Sequence, residues 1–123
     1  MKKYLILLLC LIIGAESYAQ KIKVACVGNS ITYGAGISNR DQDSYPAQLQ
    51  KLLGDEYEVR NFGVSGTTAL YNGITPYVQT SQYRESLEFN PDIVFIKFGT
   101  NDAGVRNNKF RPAFGEDYRK VVD

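Results

Sequence analysis

An α/β fold built on a parallel sheet is what this sequence predicts, and three observations predict it. Apolar strand-like runs alternate with segments of helical periodicity, in the order strand, helix, strand, helix, strand, helix. Each of the three runs ends in a polar, glycine-bearing loop, as strands do where they leave the carboxyl edge of such a sheet. The third run, Ile93-Val94-Phe95-Ile96, is apolar at successive rather than alternate positions, which predicts a strand covered on both faces.

Taken in order, the first strand is predicted over Lys21 to Val27, ending at Gly28. A helix follows from Ser44, which can cap it, with Pro46 in its first turn. Tyr45, Leu49, Leu52 and Leu53 form one apolar stripe along it, and Gly54 ends it. Tyr57 to Phe62 is the second strand. Gly63 to Gly73 is a loop rich in Gly, Ser and Thr, and Thr75-Pro76 open a helix that runs to about Phe89. Asn90-Pro91 stops it, because proline disfavours helix in the residue before it. The third strand follows, closed by Gly99, and Phe114, Tyr118, Val121 and Val122 return to helical spacing. The crossovers are expected to be right-handed, with the first strand between the other two and the third at an edge of the sheet.

The first 19 residues read differently. Lys2 and Lys3 precede an unbroken apolar run from Tyr4 to Ile13, and Ser17 and Ala19 occupy the −3 and −1 places of a cleavage site. This is the pattern of a secretory signal peptide, so the chain is expected to be exported to the periplasm or secreted. The run is too short for a membrane anchor, which needs about 20 apolar residues. Leu9 before Cys10 is not the small residue a lipoprotein signal requires. Loss of residues 1–19 removes Cys10 and leaves Cys26 alone in the apolar run Ile22 to Val27. No intramolecular disulfide is then possible, and Cys26 reads as a small buried hydrophobe.

Composition narrows the chemistry. One domain fits 123 residues, and 14 Lys+Arg against 13 Asp+Glu gives neither a basic stripe for nucleic acid nor an acidic tail. There is no histidine in the chain, so no histidine metal site and no histidine base can be completed within it. Gly34-Ala35-Gly36 lacks the third glycine of a dinucleotide loop, Asn39 standing in its place, and no Gly-Lys-Ser/Thr phosphate loop occurs. The nine Tyr and six Phe suit a core or a cleft wall, or a platform for sugars.

What remains is an inventory for acyl transfer. The first loop, Gly28-Asn29-Ser30-Ile31-Thr32, presents a serine hydroxyl and N–H at a helix start. The second, Asn61-Phe62-Gly63-Val64-Ser65-Gly66, offers a Gly63 N–H expected to be free to donate. The third, Gly99-Thr100-Asn101-Asp102, offers the Asn101 amide. A nucleophile and three convergent donors make an oxyanion hole. Asp102 reads as a structural tie between loops.

These three blocks resemble those of the SGNH hydrolases, also called GDSL-type esterases and lipases. Gly28-Asn29-Ser30-Ile31 matches G-D-S-[LIV], Asn61, Gly63 and Gly66 match N-x-G-x-x-G, and Gly99, Asn101 and Asp102 match G-x-N-D. Ser44 to Gly54 and Asn90 to Asp102 also look like the sialate O-acetylesterase-like carbohydrate esterases of that family. The resemblance implies a three-layer α/β/α fold, flavodoxin-like in layering, with Ser30 as nucleophile. It implies the Ser30 N–H, Gly63 and Asn101 as oxyanion donors, and hydrolysis of an ester on a small molecule or glycan with no metal or organic cofactor. Two departures stand out. Asn29 replaces the family aspartate, and the D-x-x-H block that supplies the base and its orienting acid is absent. Residues 20–123 are therefore expected to be the N-terminal part of the hydrolase domain and inactive alone. The alternatives are a short protein that has lost catalysis and a non-catalytic carbohydrate-binding protein using the same cleft.

Overall fold

The computed structural model describes residues 20–123, so the expected signal peptide and Cys10 lie outside the described residues. Three strands, β1 (Ile22–Gly28), β2 (Tyr57–Gly63) and β3 (Ile93–Lys97), form a parallel sheet in the order β2-β1-β3. The expected α/β class and the central place of the first strand are both realised. Register aligns Gly28 with Gly63 on one side and with Lys97 on the other, so all three strands end at one level.

Five helices accompany them: α1 (Ser30–Tyr33), α2 (Arg40–Asp43), α3 (Tyr45–Leu53), α4 (Ser81–Glu88) and α5 (Phe114–Val122). The chain steps from β1 to one side for β2, then back across β1 to β3. Two crossovers of one hand in opposite directions must pass over opposite faces of the sheet. Accordingly Cys26 of β1 meets Tyr45 of α3 on one face. On the other, Ala25 and Val27 share a cavity with Tyr83 and Leu87 of α4 and with Val121 and Val122 of α5. The layering is thus α/β/α.

The core is built on β1, whose Val24, Ala25, Cys26 and Val27 are all buried. Ala25 and Val27 cluster with Phe62, Tyr77 and Phe89, and the Tyr77 hydroxyl donates to the Phe62 carbonyl at 2.8 Å. Cys26 is buried and free, and desolvation pushes its thiol up to about 11. That is the small inert hydrophobe read from the sequence.

Four local expectations are corrected. Ser44 makes no capping bond from its side chain, although Pro46 does sit in the first turn of α3. Leu52 is 84% exposed, so the apolar stripe of α3 is narrower than its spacing suggests. The helix expected from Thr75 begins at Ser81: Tyr77–Gln79 is a separate 3-10 turn, and Thr80 breaks the run by accepting the Tyr83 N–H on its own hydroxyl. Ser, Thr and Asn side chains compete for backbone in this way. Finally, β3 is not covered on both faces: Ile93, Val94 and Phe95 are 41%, 45% and 47% exposed. Among the described residues the helices pack over β1 and β2 and leave the faces of β3 open.

Candidate active site at the carboxyl edge of the sheet

The strand order reverses at β1, and the carboxyl ends of the strands at such a reversal are the usual ligand position in open α/β sheets. Two of the three expected site residues lie in the segments that leave these strands: Ser30 comes two residues after the end of β1 and begins α1, and Asn101 lies four residues beyond the end of β3.

Asn29, not Ser30, caps the one-turn helix α1. It is fully buried, and its Oδ1 accepts the Ile31 N–H at 3.1 Å. Ser30 is left part-exposed as the first helical residue, where an N–H has no intrahelical acceptor. An isosteric amide therefore performs the capping half of the aspartate's work. The other half is changed: the Asn29 Nδ2 is buried and has no hydrogen-bond partner among the described residues.

The expectation for Gly63 is corrected. Its N–H is not free; it donates to Asn61 Oδ1 at 2.9 Å, while Asn61 Nδ2 donates to the Thr32 carbonyl at 2.9 Å. Gly63 is buried, and a Cβ built there would lie 2.2 Å from the Tyr33 nitrogen. Glycine is required because β2 runs hard against α1, and the close approach is to protein backbone.

Gly66, matched in the second block but not expected as a donor, is the open glycine of the pair. Its φ is +83°, it is exposed, and a Cβ built there would meet nothing within 4 Å. It shares a cavity of about 320 Å³ with Asn101, and Asn101 Nδ2 donates to the carbonyl of neighbouring Thr67 at 2.8 Å. The second glycine of N-x-G-x-x-G was the available signal. Choosing between the two glycines required knowing which one faces packed backbone and which faces open space.

Four side chains that follow β3 hold the second loop in place. Asn101 binds Thr67. The buried Asp102 accepts the Leu70 N–H on Oδ1 and the Gly99 N–H on Oδ2, both at 2.9 Å. Asn107 Oδ1 accepts from Ile74 at 2.9 Å, and Asp117 Oδ2 from Tyr71 at 3.0 Å. The tie read into Asp102 is thus present, with Asn107 and Asp117 as further ties that single-residue reasoning did not find. Among the described residues no group of three or more His, Cys, Asp or Glu could hold a metal ion.

A parallel sheet layered between helices, with its polar loops leaving one carboxyl edge, defines a protein of the three-layer α/β class. The profile of the GDSL-like Lipase/Acylhydrolase family matches residues 26–123, and the chain belongs to that family. Over 101 residues it is 48% identical to an acetylxylan esterase of Xylanibacter ruminicola, a match covering 82% of this chain and 21% of that protein. The crystal structure of AlinE4, an SGNH-hydrolase family esterase, superposes with a TM-score of 0.60 at 24% identity. The match covers 86% of this chain and 51% of that one. The D162A mutant of AlinE4 gives a TM-score of 0.59. The chain thus spans about a fifth of the curated relative and half of the solved neighbour, and the structural likeness concerns the fold.

Proposed function

We propose that this chain carries the nucleophile and the oxyanion-binding half of a serine ester hydrolase acting on O-acyl, chiefly O-acetyl, groups of a glycan. What supports the reading is the place of each residue: Ser30 begins α1 just beyond the central strand, while Gly66 and Asn101 line one cavity on loops that follow β2 and β3 and are held by buried ties. The Ser30 hydroxyl attacks the ester carbonyl. The oxyanion that forms receives the Ser30 N–H, the Gly66 N–H and the Asn101 Nδ2 hydrogen not used by Thr67. Collapse expels the sugar hydroxyl and leaves an acyl-serine, which water hydrolyses. No residue of this mechanism calls for a metal or organic cofactor. The proton acceptor is a histidine in the family resemblance, and the 123 residues contain none, so the chain as given is proposed to be inactive alone.

The acetylxylan esterase relative favours an acetylated glycan over the narrower sialate-type substrate. Export through residues 1–19 would bring the chain to such a substrate. Imidazole in solution can stand in for the absent base. The full chain should hydrolyse p-nitrophenyl acetate at the background rate without it. With it, the rate should exceed that of imidazole alone, and the excess should vanish in Ser30→Ala and fall sharply in Asn101→Ala. No Ser30-dependent excess would overturn the reading in favour of a non-catalytic binding protein.

A further inference from the structure

A cleft of about 570 Å³ lies beside the candidate site, and Ser30 is not among its lining residues. It runs along the free edge of β2, between α3 on one face of the sheet and α4 on the other. Val59, Asn61 and Gly63 form its floor, and Tyr33 stands at the end nearest α1. Its size falls within the range of small-molecule sites, roughly 300–1,000 Å³.

The lining is polar and evenly charged. Arg40 and Lys51 face Asp41 and Glu85, with Gln82 between. The cations already have acceptors: Arg40 pairs with Asp41 at 3.4 Å, and the Lys51 Nζ donates to the Gln42 carbonyl at 2.8 Å. Neither an anion nor a cation would find an uncompensated field there. Hydrogen-bonding groups nevertheless remain. Ser44 lines the cleft, is 2% exposed, and its hydroxyl makes no capping bond. By strand alternation the Asn61 N–H and C=O point to the same free side as Val59 and Gly63.

An added strand does not fit that edge. Gln50 closes one end of it, its Oε1 accepting the Val59 N–H at 2.7 Å and its Nε2 donating to the Tyr57 carbonyl at 3.1 Å. Asn61 Oδ1 closes the other end by taking the Gly63 N–H. A ladder needs those groups, and only the short stretch around Asn61 is open. The Tyr33 ring, held under the Arg40 guanidinium at 4.1 Å, gives the cleft a fixed, part-exposed aromatic wall.

From this we infer that the β2-edge cleft binds an uncharged, hydroxyl-rich oligosaccharide, the portion of a glycan that would flank the ester presented to Ser30. Mixed donors and acceptors without net charge suit sugar hydroxyls, and the cleft reaches towards the candidate site at Tyr33, the last residue of the turn that Ser30 begins. The choice of a xylan-type ligand rests on the ester-hydrolase reading; the cleft's preference for neutral sugar does not.

Calorimetric titration of the full chain tests it with three probes: a neutral xylo-oligosaccharide, an oligogalacturonate of equal length, and an extended peptide. Saturable binding of the neutral sugar, with the charged sugar weaker, is expected. Ser30→Ala should leave that binding intact. Gln82→Ala combined with Glu85→Ala, at part-exposed and exposed positions on α4, should weaken it about 10-fold, with far-UV circular dichroism confirming the fold. No binding of the neutral sugar, equal binding of the charged one, or binding of the peptide alone overturns the inference. The imidazole assay reads the ester-hydrolase proposal separately, so either can fail while the other stands.

Discussion

Replacing Asp102 tests the physical basis of the site directly. Its carboxylate is 2% exposed and accepts two backbone N–H groups, from Gly99 in its own turn and from Leu70 in the second loop. Hydrogen bonds to a charged partner contribute about 1.5–3 kcal/mol each, and an N–H left buried without an acceptor is penalised by its full desolvation. Leu70 is fully buried, so its N–H would have no access to water. Asp102→Ala should therefore cost about 3–6 kcal/mol, against a total margin of about 5–15 kcal/mol for a domain. Asp102→Asn keeps one acceptor and turns an NH₂ against the other N–H, so it should cost about half as much. Urea unfolding followed by circular dichroism measures both. If Asp102→Ala unfolds within about 0.5 kcal/mol of the parent, the range of an ordinary surface change, the two bonds do not hold the loops and the reasoning is refuted.

Three further outcomes follow from the same geometry. Gly63→Ala must push a Cβ into the α1 backbone and should destabilise by about 1–3 kcal/mol or more, whereas Gly66→Ala meets open space and should cost only the left-handed backbone term of about 1–2 kcal/mol; parallel urea titrations compare them. Cys26 should react slowly with a disulfide reagent at pH 8 in the folded chain and rapidly in denaturant. Because its folded value of about 11 lies above the ordinary 9.0, the thiol's contribution to stability is complete below pH 9 and is lost as pH rises from 9 towards 11, which alkaline unfolding curves will show. The exposed apolar edge of β3 should make the chain aggregate when expressed, and Val94→Lys or Phe95→Lys should raise the soluble fraction without lowering the melting temperature; light scattering that is unchanged in both variants contradicts this.

Much of the fold was legible in the order of residues because its signals are local. An apolar run ending in glycine, a proline in a first turn, and an Asn-Pro stop each act within a few residues, and so β1, α3, β2, β3 and α5 lie within a residue or two of their expected places. Crossover hand alone does not order the strands; β1 is central because β3 pairs with it and not with β2. Ser30, Asn101 and Asp102 could be singled out for the same local reason: each lies within five residues of a strand end that is visible in the sequence.

Contacts distant in sequence decided the rest. Whether Gly63 or Gly66 offers a free N–H depends on Asn61 folding back to Thr32, and on the Tyr33 nitrogen lying where a Cβ would go. The second loop has almost no regular structure of its own; Asn101, Asp102, Asn107 and Asp117 hold it from more than thirty residues away. The apolar run asked for cover on both faces of β3, yet whether a strand is covered depends on which helices pack over it, and here they lie over β1 and β2. The cleft on β2 exists because α3 and α4 pack on opposite faces and leave one edge between them, a relation that no local stretch of sequence encodes.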